Sequence, residues 1–451
     1  MEKIRIDIPD PVNYILKKLN AAGHEAYAVG GCVRDALLGR EPNDWDITTS
    51  ALPSQVKEVF HRTIDTGIRH GTVTVLLREG QFEVTTYRID GIYEDSRHPK
   101  EVTFTAKLTE DLRRRDFTIN AMAYHPSVGT VDPYGGLRDL SEGVIRAVGV
   151  PAERFDEDAL RIMRAVRFSA QLGFAIDPGT YLALRDFAPR LELISRERIR
   201  DELIKLITSP YPETFEVLYD TGITKVIFPR FDEMMACPQN RPSHKYNVGL
   251  HTLAVMQSVP PTVRLRLAAL LHDSAKPEVR TVNDRGWDVF TGHHTAGAAF
   301  AEKWLREMRL DNATIADVCT LIRYHDFLFP KDEAGVRHAM NLVGDLFDDL
   351  LLLMKADSEA KSDEGKAWHL PVVEQIGTLY HAIKERGDCV DMKHLAVTGG
   401  DLIRLGINPG PGMGEVLNTL LDEVLDDPAK NDREYLLCEA AHLASEIHSK
   451  G

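Results

Sequence analysis

The segment 27–46 restricts the fold more than any other part of the chain. Tyr27-Ala-Val-Gly-Gly-Cys-Val-Arg-Asp35 sets Gly30 and Gly31 between a strand-like run and a helix-like run, and Asp44-Trp-Asp46 then leads into Ile47-Thr-Thr49. Glycines there let backbone amides approach phosphate oxygens, and a helix N-terminus favours an anion. Arg34 adds positive charge to that cradle. Residues two apart in a strand face one side, so Asp44 and Asp46 converge as divalent-metal binding requires. Two Mg²⁺ ions held in this way activate a hydroxyl and stabilise a leaving pyrophosphate. Either feature alone is an ordinary solvated turn. Together they ask for an α+β domain in which a glycine turn and a strand end meet. A third carboxylate from a neighbouring strand would complete the metal site. Glu83 is the candidate, and its other reading is a surface partner for Arg88.

The hydrophobic pattern around this unit agrees with a small mixed sheet. Val12, Ile15, Leu16 and Leu19 recur at helical spacing over 11–22, and strand-like runs follow at 24–29, 45–49, 71–77 and 81–88. After Pro151 the texture becomes helical, with segments expected at 156–171, 196–208 and 211–221. With 451 residues and 43% hydrophobic composition the chain exceeds what one core holds. The expected division is 1–148, 149–225, 240–365 and 366–451.

Charge and cysteine usage narrow the function classes. A net charge of -15 argues against a protein that coats nucleic acid indiscriminately, and DNA is not an expected partner. The acidic excess lies mainly in the C-terminal half, which leaves room for a local RNA site. Five cysteines without CxxC spacing suggest neither a disulfide framework nor structural zinc. No run approaches the ~20 apolar residues of a membrane span, and the N-terminus carries no secretory pattern, so a cytoplasmic protein is expected.

Gly30-Gly31-x-x-Arg34-Asp35-x-x-Leu38-Gly39-x-x-x-x-Asp44-x-Asp46 resembles motif A of the class II CCA-adding enzymes and their bacterial poly(A) polymerase relatives. The resemblance implies an α+β chain: a polymerase-β-like nucleotidyltransferase head, an all-α base-reading neck, an HD-type helical body and a tRNA-binding helical tail. It further implies that Gly30, Gly31 and Arg34 bind the incoming triphosphate, with Asp44 and Asp46 holding Mg²⁺ and CTP and ATP as donors. The run Asp111-Leu-Arg-Arg-Arg-Asp-Phe-Thr-Ile-Asn120 is similar to a second motif, in which Arg115 and Asp116 contact the nucleotide. Residues 131–140, Val-Asp-Pro-Tyr-Gly-Gly-Leu-Arg-Asp-Leu, look like the hinge between head and neck.

Glu157-Asp158-Ala-Leu-Arg161 resembles the family's EDxxR base-reading motif, with Arg164 and Arg167 continuing at three-residue steps. On one helix these spacings set Asp158 beside Arg161. A carboxylate accepts and a guanidinium donates, so such a pair suits the amino donor and ring acceptor shared by cytosine and adenine. Arg164 and Arg167 then aid triphosphate binding or neck geometry. The segment 90–99, with Arg97-His98 before Pro99, looks like the loop that family members need for the terminal A. These features leave full CCA addition to tRNA, A-addition alone and poly(A) polymerisation open.

In the C-terminal half, His251, His272-Asp273, His293-His294, His325-Asp326 and Asp357 follow one another along a helical pattern. The order resembles HD-type metal phosphohydrolases, which implies that His251, His272, Asp273 and Asp357 bind metal while His294 and His325 aid substrate. Histidine and carboxylate ligands suit Mn²⁺, Ni²⁺, Fe or Mg²⁺. The implied substrate is a 2′,3′-cyclic phosphate or a 2′-phosphate at an RNA end. A chain that is chiefly a phosphohydrolase, or one whose HD fold survives only as a scaffold, fits the same residues. The glycine-rich turn 398–414 is read as structural.

Overall fold

A computed structural model of the protein describes residues 5–91, 102–326 and 331–450. It divides into two compact units, Met1–Asp232 and Glu233–Gly451, so the expected head and neck share the first and the expected body and tail share the second. Among the described residues no helix is long and apolar enough to cross a membrane.

The first unit is built on a seven-stranded sheet. In chain order its strands are β1 (Ala26–Val29), β2 (Ile47–Thr49), β3 (Thr63–Gly67), β4 (Thr72–Leu77), β5 (Gly80–Thr86), β6 (Ala123–His125) and β7 (Gly129–Val131). They lie in the order β3-β4-β5-β2-β1-β6-β7. All neighbours are antiparallel except β2 and β5, where Ile47 pairs with Val84. Helix α1 (Asp10–Ala21) carries Pro11 in its first turn and buries Val12, Ile15, Leu16 and Leu19, the stripe its 3.6-residue period predicts. Helix α2 (Gly31–Leu37) follows β1 directly, with Gly30 at its N-cap in a positive-φ conformation (φ 85°).

Two local expectations change. The strand expected at 45–49 starts only at Ile47, so Asp44-Trp45-Asp46 is the loop that enters β2. The helix expected at 156–171 is two helices, α3 (Pro151–Glu157) and α4 (Leu160–Leu172), broken at Asp158. Asp158 takes an extended conformation (φ -143°) and its side chain accepts from Leu160 N at 3.0 Å, the behaviour of a short acidic residue that starts a helix rather than continuing one. Helix α5 (Arg196–Ile207) packs against α4. Residues 92–99 of the loop expected to serve the terminal A lie outside the described residues.

The second unit is helical. Its site-bearing helices are α6 (Val248–Ser258), α7 (Val263–Leu271), α8 (His293–Glu307), α9 (Asn312–Tyr324), α10 (Phe347–Glu359) and α11 (Asp363–Arg386). Helix α7 is buried from Leu265 through Leu271, apolar along that stretch apart from Arg266, while Arg264 near its start pairs with Asp317 and Asp349. The tail helix α12 (Pro411–Asp426) packs Val416, Leu420 and Val424 with Leu402 and Leu436 in a core of its own. The 398–401 turn is a capping box, with Asp401 also gripped by Arg433 at 2.6 Å, which supports its structural reading.

Gly136 is fixed by space. A Cβ there would stand 2.3 Å from the Thr118 carbonyl oxygen and 2.8 Å from Met122 Cγ. Gly136→Ala should therefore destabilise the first unit by about 3 kcal/mol, read as a lowered thermal or urea midpoint. An unchanged midpoint would show that the helix Gly136–Glu142 shifts freely.

Candidate nucleotide and metal sites

The β1–α2 turn and the 111–120 segment come together. Gly30 N donates to Met122 O at 3.2 Å, and a Cβ on Gly30 would meet Arg115 Nη1 at 2.8 Å, so only glycine lets Arg115 lie across the turn. Arg34 is buried; its Nε and Nη2 each donate to Asp35 at 2.9 Å and its Nη1 to Asn120 Oδ1 at 2.6 Å. Arg115 stands 3.6 Å from Asp111, a fully buried carboxylate that also accepts from Arg114.

Asp44 and Asp46 are exposed at the entrance to β2. Desolvation raises the Asp46 carboxyl, Arg115 lowers it and the Asp44 charge raises it again, so the net direction is upward. Two acids that repel each other beside one arginine are a donor set suited to a divalent cation. Glu83 is exposed on β5, one register step before the Val84 that pairs with Ile47. The three carboxylates do not close to within 4.8 Å of one another; among the described residues the clusters that do so are both in the second unit.

The second motif reaches the neck through Asp116. Its Oδ1 accepts from Phe117 N at 2.8 Å and Asn120 Nδ2 at 3.1 Å, and its Oδ2 accepts from Arg164 Nε at 2.8 Å and Nη2 at 2.6 Å. Burial opposes its ionisation, but the Arg164 guanidinium and the Asn120 amide outweigh that and hold the carboxyl well below the usual range. Arg167 continues the network to Glu202 at 2.6 Å and lies over Phe168.

The EDxxR residues do not pair as their spacing on one helix predicts. Arg161 Nη1 donates to Glu157 at 2.6 Å and to Arg154 O at 3.1 Å, and its Nη2 donates to Arg114 O at 2.8 Å. Asp158 instead accepts from Arg198 Nη2 at 2.9 Å. The helix break at Asp158 is the physical reason: it turns the carboxylate towards α5. Arg198 and Glu202 escaped the sequence reading because they lie 35 to 40 residues from Asp158, Arg164 and Arg167, beyond any local spacing, and Asn120 meets Arg34 from 86 residues away.

The second unit gathers the histidines and aspartates into one buried centre. His251 Nε2 is 2.9 Å from Asp357 Oδ1, and His272 Nε2 is 3.2 Å from Asp273 Oδ2. Two ligand-ready groups result, His251-His272-Asp357 and His272-Asp273-His325. The Nδ1 atoms of His272, His293 and His325 lie 2.8, 2.8 and 2.7 Å from the carbonyls of Ala269, Phe290 and Ile322. A carbonyl only accepts, so each Nδ1 carries a proton and each Nε2 is turned to the centre; burial lowers His325, but the Asp273 carboxylate outweighs it and raises that imidazole above its ordinary value. Burial lowers His293 to about 4, so it is neutral near pH 7.

His272 Nε2 makes no hydrogen bond, and neither Asp273 oxygen accepts a well-directed one, although Lys276 Nζ stands 2.6 Å from Oδ2. Orphaned polar atoms in a buried site are costly unless a further group satisfies them. Lys361 pairs with Asp357. His293, whose Nε2 is 3.5 Å from Asp273 Oδ1, faces the centre, while His294 lines the cavity beside it. His293 was named in the series but the substrate role was given to its neighbour His294; the buried lysines were missed, although the i+3 and i+4 spacings of Lys276 and Lys361 from their aspartates were a usable signal.

A glycine-bound arginine turn beside paired acids, on a mixed sheet joined to helices, defines a nucleotidyltransferase head. Residues 26–146 match the family described as "Poly A polymerase head domain", residues 173–235 "Probable RNA and SrmB- binding site of polymerase A", and residues 281–440 "tRNA nucleotidyltransferase domain 2". The chain is 36% identical to the CCA-adding enzyme of Limosilactobacillus fermentum, covering 96% of this chain and 97% of that one. It is 34% identical to that of Enterococcus faecalis over 97% of this chain and 96% of that one. The Bacillus stearothermophilus CCA-adding enzyme in complex with CTP is similar in structure, with TM-score 0.71, 28% identity, and 98% and 100% of the two chains covered. The Thermotoga maritima enzyme complexed with tRNA shares the fold at TM-score 0.60 and 22% identity, with 99% of this chain and 97% of that chain covered. This chain belongs to the CCA-adding enzyme family.

Removing Arg164 strands a buried carboxylate. Arg164→Ala should cost about 2 kcal/mol, a value reduced for the partial exposure of the arginine. Asp116 titrates lower in the folded state than in the unfolded chain, so its contribution is complete above about pH 5 and is lost as pH falls. Urea midpoints should fall less steeply between pH 5 and 3 in Asp116→Asn than in the wild type; parallel curves would contradict the assignment.

Proposed function

We propose that this chain builds or repairs the 3′ end of tRNA, adding C, C and A from CTP and ATP without a nucleic-acid template. The observation that carries the reading is the end-to-end likeness to CCA-adding enzymes, together with a head that places Gly30, Arg34, Asp46 and Arg115 around one turn. The family implies a divalent metal.

In this reading Asp44 and Asp46 would hold Mg²⁺, with Glu83 on the neighbouring strand β5 as the third carboxylate. Such ions supply charge stabilisation to both the attacking and the leaving oxygen. The bond from the tRNA 3′ oxygen to the α-phosphorus forms as the bond to pyrophosphate breaks. The Gly30–Gly31 turn, Arg34 and Arg115 receive the triphosphate, and Asp116, Arg164 and Arg167 fix the neck against the head. Asp158 accepts from the base amino group and Arg161 donates to the ring nitrogen, which selects C and A over U and G. Glu157 supports this by holding the Arg161 fork, and Arg198 is the partner that Asp158 exchanges for a base.

Asp44→Ala or Asp46→Ala should lower CMP incorporation about a thousandfold. A tRNA lacking its CCA end, given CTP alone, ATP alone and both, checks the order of addition. Failure to incorporate C would assign the chain to A-addition or poly(A) synthesis instead.

A second activity is favoured by the orphaned His272 Nε2 and Asp273 oxygens. In this reading His251, His272, Asp273 and Asp357 form an HD-type centre for Mn²⁺, Ni²⁺, Fe or Mg²⁺. A cation there supplies Lewis acidity for phosphoester hydrolysis at an RNA end. His293, His294 and His325, with Lys276 and Lys361, meet the phosphate. His272→Ala should abolish stoichiometric metal uptake, measured by elemental analysis, while CMP incorporation persists. Uptake retained by the variant would refute the ligand set.

A further inference from the structure

The ring of Phe168 stands among three guanidiniums of the first unit. Its centroid lies 3.6 Å from Arg167 Cζ, 5.0 Å from Arg34 Cζ and 5.3 Å from Arg164 Cζ. Phe168 is buried on α4, and its ring meets the ring of Phe117, the residue after Asp116, edge to face at 5.8 Å and 80°. One side chain of the neck helix thus touches the arginine of the glycine turn, the second motif and two arginines of its own helix.

We propose that Phe168 is a positioning residue that holds Arg34 for the incoming triphosphate and carries the position of α4 into the phosphate cradle; the proposal rests on reading Arg34 as a triphosphate ligand. Arginine has five N–H donors, and Arg34 commits three of them, Nε and one on Nη2 to Asp35 and one on Nη1 to Asn120. Two N–H bonds remain for phosphate oxygens. A carboxylate on the neck would also tie Arg34 to α4, but it would consume those donors and offset the charge that the triphosphate needs. An aromatic ring attracts the guanidinium through its quadrupole and takes no donor, and the attraction is larger in a buried site, where water does not compete. Asp35 and Asn120 belong to the head and hold Arg34 within it, whereas Phe168 belongs to the neck. The same ring lies where like charges crowd. Burial lowers the Arg167 guanidinium, Glu202 raises it and the Arg164 charge lowers it again, with a downward net direction. A leucine would fill much of the space and leave the three guanidiniums facing one another.

The test uses the full chain with mono-, di- and trifluorinated phenylalanines placed at position 168 by amber suppression. Fluorine withdraws negative potential from the ring step by step and changes its shape little. Binding of CTP and of ATP is read by calorimetry in Mg²⁺, and KM and kcat by incorporation into a tRNA lacking its CCA end. The Kd for CTP and for ATP should rise in parallel at each step, reaching about tenfold for the trifluorinated ring, with KM following and kcat nearly unchanged. Phe168→Leu should weaken both nucleotides at least as much, and Phe168→Tyr should keep most of the wild-type affinity. Leu184→Ala, a cavity in the buried neck core, should lower the urea midpoint and leave both Kd values unchanged. Affinities that stay flat across the fluorine series overturn the proposal, whether or not Phe168→Leu folds, and so does an equal loss of affinity in Leu184→Ala. Fluorine-dependent binding of CTP without incorporation keeps the role of Phe168 and overturns CCA addition; incorporation without fluorine dependence does the reverse.

Discussion

Asp116 is a buried carboxylate that accepts from a backbone amide, the Asn120 amide and the fork of Arg164, and Arg164 belongs to the neck helix. The position of that helix relative to the Gly30–Gly31 turn depends on this joint. Arg161, one turn earlier on α4, is held by Glu157 and the carbonyl of Arg114, so this part of α4 is tied to the segment that carries Arg115. Glu202 closes the far side through Arg167. Buried ion pairs add little net stability once desolvation is offset, but they admit few alternative geometries. An enzyme that must choose bases without a template needs such a fixed distance between the phosphate and the base.

The centre of the second unit has the opposite electrostatic character. Around Asp116 each oxygen has its donors. Around Asp273 the oxygens lack directed donors, the His272 lone pair has no partner, and two buried lysines offset the negative charge. The Asp116 carboxylate organises structure through directed donors, whereas Asp273 lies among buried imidazoles and lysines that meet it without well-directed hydrogen bonds.

The strand and helix content of the head was legible because its signals are local: the stripe of α1, the alternation of β5, the glycine turn before α2. The strands β3, β6 and β7 were not, since short segments such as Ala123–His125 carry too few residues for a period and are strands only because a neighbour pairs with them. The helix break at Asp158 went unread for a related reason. The sequence there is compatible with one continuous helix, and it is the capping of α4 and the pull of Arg198 that stop it.

Amino-acid order by itself determined the chemistry: which glycines, arginines, acids and histidines stand at spacings that suit phosphate, metal and base. Such spacings are set within a turn or two of backbone, where the geometry of the chain is nearly fixed. Tertiary structure alone decided the partners. That Arg161 takes Glu157, that Asp158 takes Arg198 and that His293 faces Asp273 all depend on contacts between distant segments. Those contacts follow from how whole helices pack, and no local pattern encodes them.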